Sequence, residues 1–358
     1  MIVSVALTII PIGNTQSLPL GSMAVSQTIF ACSGARNGSQ FYPNMQCQNA
    51  VITCPNTAGI QLTFGTIAPA NPKGTIVFFS GGKGTTPTES GDDILQYAAN
   101  YAQKYQVVQV EWASAWEDPS SDGSGGNVLT AACRPATFLN AILTPAQGAK
   151  CAQGASAGAA AIAYSMAWYG TQLTNVELTS GPTLSEIDQG CAWPNASTPT
   201  LCGAGSTYCS PKTVSWTDKV IYVPNYNADV SSWTGIPACA TSGVNSANYP
   251  AWAAMSLVDG VSAGATPVFS YPGTGKHAWV CQSYSTCNAP SCPNNSASEG
   301  KFLYDAVSSA EGITSNLVVT GVQSCDGEEG VAQGTDPDSN LPAPQAIEND
   351  MLSKCVAP

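Results

Sequence analysis

The feature that most narrows what this chain can fold into is Gly154-Ala155-Ser156-Ala157-Gly158, because of what stands on either side of it. Ala149 to Gly154 reads as a short strand, and Ala157 to Tyr169 reads as an Ala-rich helix. A serine between them, with glycine two positions before and two after, marks a sharp strand-to-helix turn. Such a turn holds a hydroxyl above the end of a sheet, at a helix N-terminus. A small-residue helix start with no chemical role is the plainer reading of the same residues.

The surrounding chain alternates strand and helix patterns. Gly74 to Gly81 reads as a buried strand, Asp92 to Lys104 as an amphipathic helix and Gln106 to Trp112 as the next strand. Thr130 to Leu143 reads as a helix whose first turn must accommodate Pro135, and Val176 to Gly181 as another strand. Alternation of this kind predicts an α/β fold: a mainly parallel central sheet flanked by helices on both faces. Residues 25–60, rich in Cys, Asn and Gly, read as an N-terminal cap with short strands. From Asp188 to about Tyr249, four cysteines sit among many Pro, Thr, Ser and Asn, which reads as a disulfide-stapled insertion or lid. Beyond it, Pro250 to Gly264 has helical tendency, Thr266 to Gln282 holds strand material and Ser298 to Ser309 reads as a helix. Ser315 to Val322 reads as a strand and Ala343 to Lys354 as a terminal helix, all within one domain spanning residues 25–358.

Composition places the chain outside the cell. Its 14 cysteines, scattered from Cys32 to Cys355 without CxxC pairs, read as a disulfide framework formed in an oxidising compartment rather than as metal ligands. Cys325 with Cys355 is a plausible local pair. Only 9% of residues are charged, against roughly 25% in ordinary soluble proteins. Three sequons, at Asn37, Asn195 and Asn294, suit a secreted glycoprotein. Residues 1–24 read equally as an imperfect signal segment or as a genuine first strand, since Val3, Val5, Leu7 and Ile9 alternate with smaller or polar residues. A net charge of −12 with no basic run excludes nucleic acid as a natural partner, and no apolar run is long enough to cross a bilayer.

Gly154 to Gly170, followed by Thr179-Ser180-Gly181-Pro182 and Asp188-Gln189-Gly190-Cys191, resembles secreted microbial members of the α/β-hydrolase superfamily. The resemblance covers residues 70–355 in element order and is specific in sequence only around the elbow and the segment after it. It implies esterase- or lipase-like activity on carboxylic esters, with Ser156 as nucleophile, a Ser–acid–His triad and no cofactor or metal. It also implies an oxyanion hole built from backbone N–H groups: Ala157 on one side, and Gly82 or Lys83, in the loop Ser80-Gly81-Gly82-Lys83-Gly84, on the other. That loop is no phosphate-binding motif, because Gly84 stands where Ser or Thr is needed. The glycines serve equally as a tight strand-end turn.

The chain has one histidine, so a standard triad must use His277. Two registers of the sheet remain open. In the first, Lys219 to Asn225 is the penultimate strand, Asp229 is the acid, Pro250 to Gly264 the crossover helix and Thr266 to Tyr271 the last strand; His277 then follows it as the base, with Asp188 and Asp259 as reserve acids. In the second, His277 to Gln282 is the penultimate strand, Ser298 to Ser309 the crossover and Ser315 to Val322 the last strand. There the family pattern would put the acid near residues 283–286 and the histidine near 323–326, and neither is present. The first register predicts a secreted serine esterase. The second predicts a hydrolase fold without the chemistry, kept for extracellular binding or self-assembly. Bland readings also hold: His277 as a strand-end residue bonded to backbone, Asp229 as a turn former, Trp112 and Trp116 as packing. Asp336, Asp338 and Asn340 have the alternate spacing of a Ca²⁺ loop, but Ile347 stands where the closing Glu belongs, so a solvated acidic loop is the better reading. Nothing in the sequence places two carboxylates on adjacent strand ends as a glycosidase needs.

Overall fold

A computed structural model describes residues 17–32, 41–87, 94–118, 126–182, 184–185, 187, 253–262, 264–281, 296–312, 316–322, 331 and 334–357. Nine strands form one sheet: β1 (Ser22–Ala31), β2 (Gln46–Cys54), β3 (Thr57–Ile67), β4 (Gly74–Phe79), β5 (Gln106–Trp112), β6 (Ala149–Ala155), β7 (Asn175–Thr179), β8 (Gly275–Cys281) and β9 (Leu317–Val322). The order across the sheet is β1-β2-β3-β5-β4-β6-β7-β8-β9. The first three strands and β5 pair antiparallel, and from β5 to β9 every pairing is parallel. Among the described residues six helices accompany them: α1 (Ile94–Tyr101), α2 (Val128–Ala131), α3 (Cys133–Leu143), α4 (Ala157–Tyr169), α5 (Ser296–Glu311) and α6 (Ala343–Lys354).

Composition explains the central elements. GTIVFF of β4 is buried along its whole length, as a parallel strand covered on both faces must be. In α4 all 13 residues are buried, so its apolar character runs all the way round rather than along one stripe. Its large side chains find partners for their polar tips: Tyr164 Oη donates to Met255 O, Trp168 Nε1 to Leu257 O and Tyr169 Oη to Leu129 O. Gly170 ends the helix in the left-handed conformation, at φ 69°.

Handedness sorts the helices. The chain steps from β4 to β5 in one direction, then jumps over β4 to β6 and continues the other way. Right-handed crossovers then put α1 on one face and α3, α4 and α5 on the other. Side chains of α1 and α6 pack in one apolar cluster with Ile76 and Phe78, and those of α3, α4 and α5 pack in the other with Val77 and Phe79. The reversal of strand order leaves a crevice between the C-terminal ends of β4 and β6, the usual place for a ligand in an open α/β sheet.

Several expectations need correction. Residues 25–60 are not a cap: β1, β2 and β3 are 10, 9 and 11 residues long and extend the main sheet. Of the stretch 250–264, the described residues are a helical Ala253 followed by turns, and Thr266 to Tyr271 is irregular chain laid against the end of α4. Pro135 does lie in the first turn of its helix, where its missing N–H costs nothing. Cys355 pairs with Cys151, not Cys325; the other bridges are Cys32–Cys47 and Cys54–Cys133. The remaining eight cysteines, the insertion at 188–249 and the three sequons lie outside the residues whose side chains are described.

Cys151–Cys355 spans 204 residues and ties α6 to β6. Loop-closure entropy at that separation gives about 5 kcal/mol. The double variant C151A/C355A is expected to lose an amount of that order in chemical denaturation, with the midpoint falling well below that of the parent.

Candidate functional site

The turn between β6 and α4 is shaped by contact with β4. A Cβ on Gly158 would stand 2.3 Å from Phe79 O, and one on Gly154 would stand 2.5 Å from the Gly158 carbonyl carbon. Neither neighbour is a flexible side-chain tip, so both positions must be glycine. Ser156, between them, adopts φ 50° and ψ −116°, a conformation unfavourable for any residue with a side chain. Its N–H donates to Thr179 O at 2.8 Å, which binds the turn to the end of β7. Thr179-Ser180-Gly181-Pro182 therefore adjoins the elbow in space as well as in resemblance. Ser156 is buried, at 6% exposure, and is followed at once by the first free N–H groups of α4.

The loop after β4 lies beside this turn. Gly82 has φ 52° and Gly84 φ 66°. Gly84 N–H bonds Gly81 O, while Trp112 N–H and Trp116 N–H bond Gly84 O and Lys83 O. The loop is thus pinned mainly through its carbonyls, and the N–H groups of Gly82 and Lys83 take no part in these bonds. A Cβ at Gly84 would stand 2.7 Å from Trp112 Cδ1 and 3.3 Å from Trp116 Cδ1. Both tryptophans are core residues at 1% exposure, and Trp112 meets Phe138 edge to face. They hold the loop from beneath, which is the packing role.

His277 is elsewhere. It is the third residue of β8, paired in register with Glu177 of β7, which in turn pairs with Gln153 of β6. It therefore stands two strands across from β6 and three residues below Ser156. Strand spacing and rise put these offsets at about 10 Å each, far beyond a hydrogen bond of about 3 Å. Its ring nitrogens are occupied: Nδ1 meets Asp350 Oδ2 of α6 at 2.9 Å, and Nε2 meets Thr320 Oγ1 of β9 at 2.8 Å. The ring stacks on Trp279 at 3.8 Å. The second register is the one adopted, and His277 as base for Ser156 is overturned by geometry. Asp259 is also removed from the reckoning: Gly260, beside it, lies against Trp168 near the far end of α4, about 18 Å of helix from Ser156. Asp188 and Asp229 lie outside the described residues.

Around His277 the structure assembles a buried polar cluster that the sequence did not announce. Glu177 Oε2 lies 4.0 Å from His277 Nδ1 and accepts from Trp279 Nε1 at 2.7 Å, while Glu177 Oε1 accepts from Asn175 Nδ2 at 2.7 Å. Asp350 also pairs with Lys354 Nζ at 2.9 Å. Complete burial, then the charge of Asp350, pushes the Glu177 carboxyl well above the ordinary range. Burial lowers the His277 pKa and keeps the ring neutral, against the opposing pull of Asp350. Burial of Asp350 works the other way, yet hydrogen bonds from His277 and Lys354 hold it below the carboxylate range. These shifts favour a neutral carboxyl at Glu177, a neutral His277 donating from Nδ1 and accepting from Thr320, and an ionised Asp350 beside Lys354. One negative and one positive charge balance, and each group has its partner.

Glu177, His277 and Asp350 are the one set of convergent metal-ligand types among the described residues. Hydrogen bonds already engage His277 Nδ1 and Asp350 Oδ2, so the cluster closes on protons. Of the two carboxylates that do meet, Glu177 is in the middle of β7 and Asp350 is on α6, so they are not the pair at adjacent strand ends that a glycosidase needs. Asp336 accepts from the N–H groups of Asp338 and Ser339, each at 3.1 Å, and so caps its own turn, which accounts for the spacing that resembles a Ca²⁺ loop.

Truncating His277 to Ala leaves Thr320 without its imidazole partner and Asp350 with Lys354 alone, and a loss of roughly 3 kcal/mol is expected in denaturation. Glu177→Gln tests the protonation state. A carboxyl whose folded pKa is raised destabilises the fold progressively as pH climbs above its unfolded value of 4.5. The amide is free of that term; one of its two ends becomes a donor, so it keeps the bond from Trp279 or the one from Asn175 and not both, a loss that does not vary with pH. The melting temperature of E177Q relative to the parent should therefore rise with pH from about 4.5 upward; a difference that does not vary with pH refutes this assignment.

No protein-family model matches the sequence, and no curated protein matches it. Solved structures to which it is weakly similar include three esterases. Carboxyl esterase 2 from the mycorrhizal fungus Tuber melanosporum is 13% identical, with a TM-score of 0.46 over 89% of this chain and 90% of that one. A bacterial heroin esterase is 14% identical, with a TM-score of 0.45 over 88% and 85%. An esterase from the Planctomycetes species Thermogutta terrifontis is 11% identical, with a TM-score of 0.42 over 85% and 97%. These likenesses concern backbone architecture. The sheet reversal beside β4, the parallel run from β5 to β9 and the strained serine between β6 and α4 identify the chain as one with the α/β-hydrolase fold.

Proposed function

We propose that this protein is an exported hydrolase of carboxylic esters that uses Ser156 as its nucleophile and does not use His277. The observation that carries the reading is the backbone of Ser156, held at φ 50° by two sterically obligatory glycines at the crevice between β4 and β6. Ser156 Oγ attacks the ester carbonyl as its proton passes to a base, the carbonyl oxygen takes the negative charge, and the same group returns the proton to the departing alkoxide; the alcohol leaves and the acyl-serine is hydrolysed by water to the free acid. Ala157 N–H at the start of α4 and the N–H of Gly82 or Lys83 are the donors for that oxygen. Because the chain's one histidine is engaged at Asp350 and Thr320, the serine proton goes to a group other than imidazole. Export is supported by the three disulfides and the low charge.

A second reading rests on the same histidine. A hydrolase fold whose one imidazole serves the core has no ordinary base for its serine, and such a chain can keep the fold for binding or assembly. Hydrolysis of p-nitrophenyl esters separates the two. For the esterase, Ser156→Ala is expected to lower kcat at least about 100-fold, while His277→Gln lowers stability and leaves kcat of the folded protein nearly unchanged. Equal rates for the parent and Ser156→Ala would establish the non-catalytic reading.

A further inference from the structure

We infer that two copies of this chain associate through the edge strand β1, antiparallel across a two-fold axis. Among the described residues β1 pairs only with β2, so its outer edge presents unpaired backbone groups along 10 residues. Such an edge is a template for another strand, and proteins that remain single guard it with charge, proline, shortness or cover. β1 has neither charge nor proline; it does carry a bulge between Val25 and Ile29, a further means of guarding an edge, where Thr28 N–H bonds Ser26 Oγ, and the residues on either side of it stay in register with β2. Val25 is 44% exposed, Ile29 60% and Val51, on the neighbouring strand, 40%.

Charge selects a second copy as the occupant. The chain carries −12, yet all 23 of its Asp and Glu lie beyond Pro72, and Arg36 is the one charged residue before Lys73. Strands β1 to β3 therefore form a neutral sector on an otherwise acidic molecule. Two such molecules repel at most orientations, and this sector lets them meet without opposing carboxylates. An antiparallel strand pair is self-complementary, as a two-fold interface requires. A strip about 33 Å long and about 20 Å across gives on the order of 700 Å² per partner, close to the roughly 800 Å² of a standard interface.

Sedimentation of the full chain over a range of micromolar concentrations tests this. The parent is expected at twice 36.7 kDa. The double variant V25K/I29K, which sets like charges against each other across the axis at two exposed positions, is expected at the monomer mass with its melting temperature retained. Should that variant fail to fold, Gln27→Cys in the parent supplies the second measurement: with Val25 opposite Ile29 across the axis, residue 27 faces its own copy, and oxidation should yield a disulfide-linked dimer in high yield. A parent that is monomeric throughout overturns the inference, as does a dimer unaffected by V25K/I29K with no Gln27→Cys cross-link. A parent that dimerises only after removal of residues 1–16 also overturns it, because the edge is then occupied by the chain's own N-terminal segment.

Discussion

The approach of α4 to the end of β4 is the constraint on which the rest of the site depends. Gly158 sits so close to Phe79 O and Ser80 O that no side chain fits, and this contact turns the chain through the elbow. The turn imposes an unfavourable backbone on Ser156, a cost of order 1–3 kcal/mol that burial of the whole of α4 offsets. Because α4 is apolar all round, it can lie only at the centre of a covered face. That requirement fixes which strands flank it and places Ser156 at the point where strand order reverses. The position of the serine thus follows from packing before any chemistry is considered.

A second buried device holds the far side of the sheet. Glu177, His277, Thr320 and Asp350 come from β7, β8, β9 and α6, and their hydrogen bonds join three adjacent strands to the C-terminal helix. Cys151–Cys355 fastens the same helix to β6. The chain's one histidine is thereby committed to structure. In a core with few charges, an ionised Asp350 is tolerated because Lys354 stands one helical turn away and the imidazole donates to it. Any imidazole-dependent chemistry at Ser156 is closed by this commitment, so an active enzyme has to move the serine proton by another route.

Much of the fold was legible residue by residue. Gln106–Trp112, Ala157–Tyr169 and Ala343–Lys354 have the bounds their patterns indicate, since apolar periodicity and glycine or proline punctuation are local properties. Local pattern misled where the partner decides. Residues 25–60 look like a cap because polar, Cys-rich strands resemble loops, yet pairing with β5 draws them into the main sheet. Thr266 to Tyr271 has a strand's composition but meets the end of α4 instead of a sheet edge. Cys355 has Cys325 nearby in sequence and Cys151 nearby in space, and disulfide pairing follows space. Glu177, in the middle of a buried strand, was the one available signal of the polar cluster, because a carboxylate does not enter a core without partners.

The sequence alone determined the elbow: two glycines around a serine, a strand before it and an Ala-rich helix after it, all readable because a tight turn is a matter of adjacent residues. It also determined that there is a single imidazole. Which of two registers that imidazole occupies was a tertiary decision. Both registers satisfy local propensity, and they differ in whether Lys219 to Asn225 and Thr266 to Tyr271, or the strand bearing His277 and Ser315 to Val322, serve as the penultimate and last strands. Backbone pairing with β7 and β9, stacking on Trp279 and an acid from a helix 73 residues further along decided for His277. No window of sequence contains those partners together, and that is the physical reason the chemistry could not be read from the sequence while the fold could.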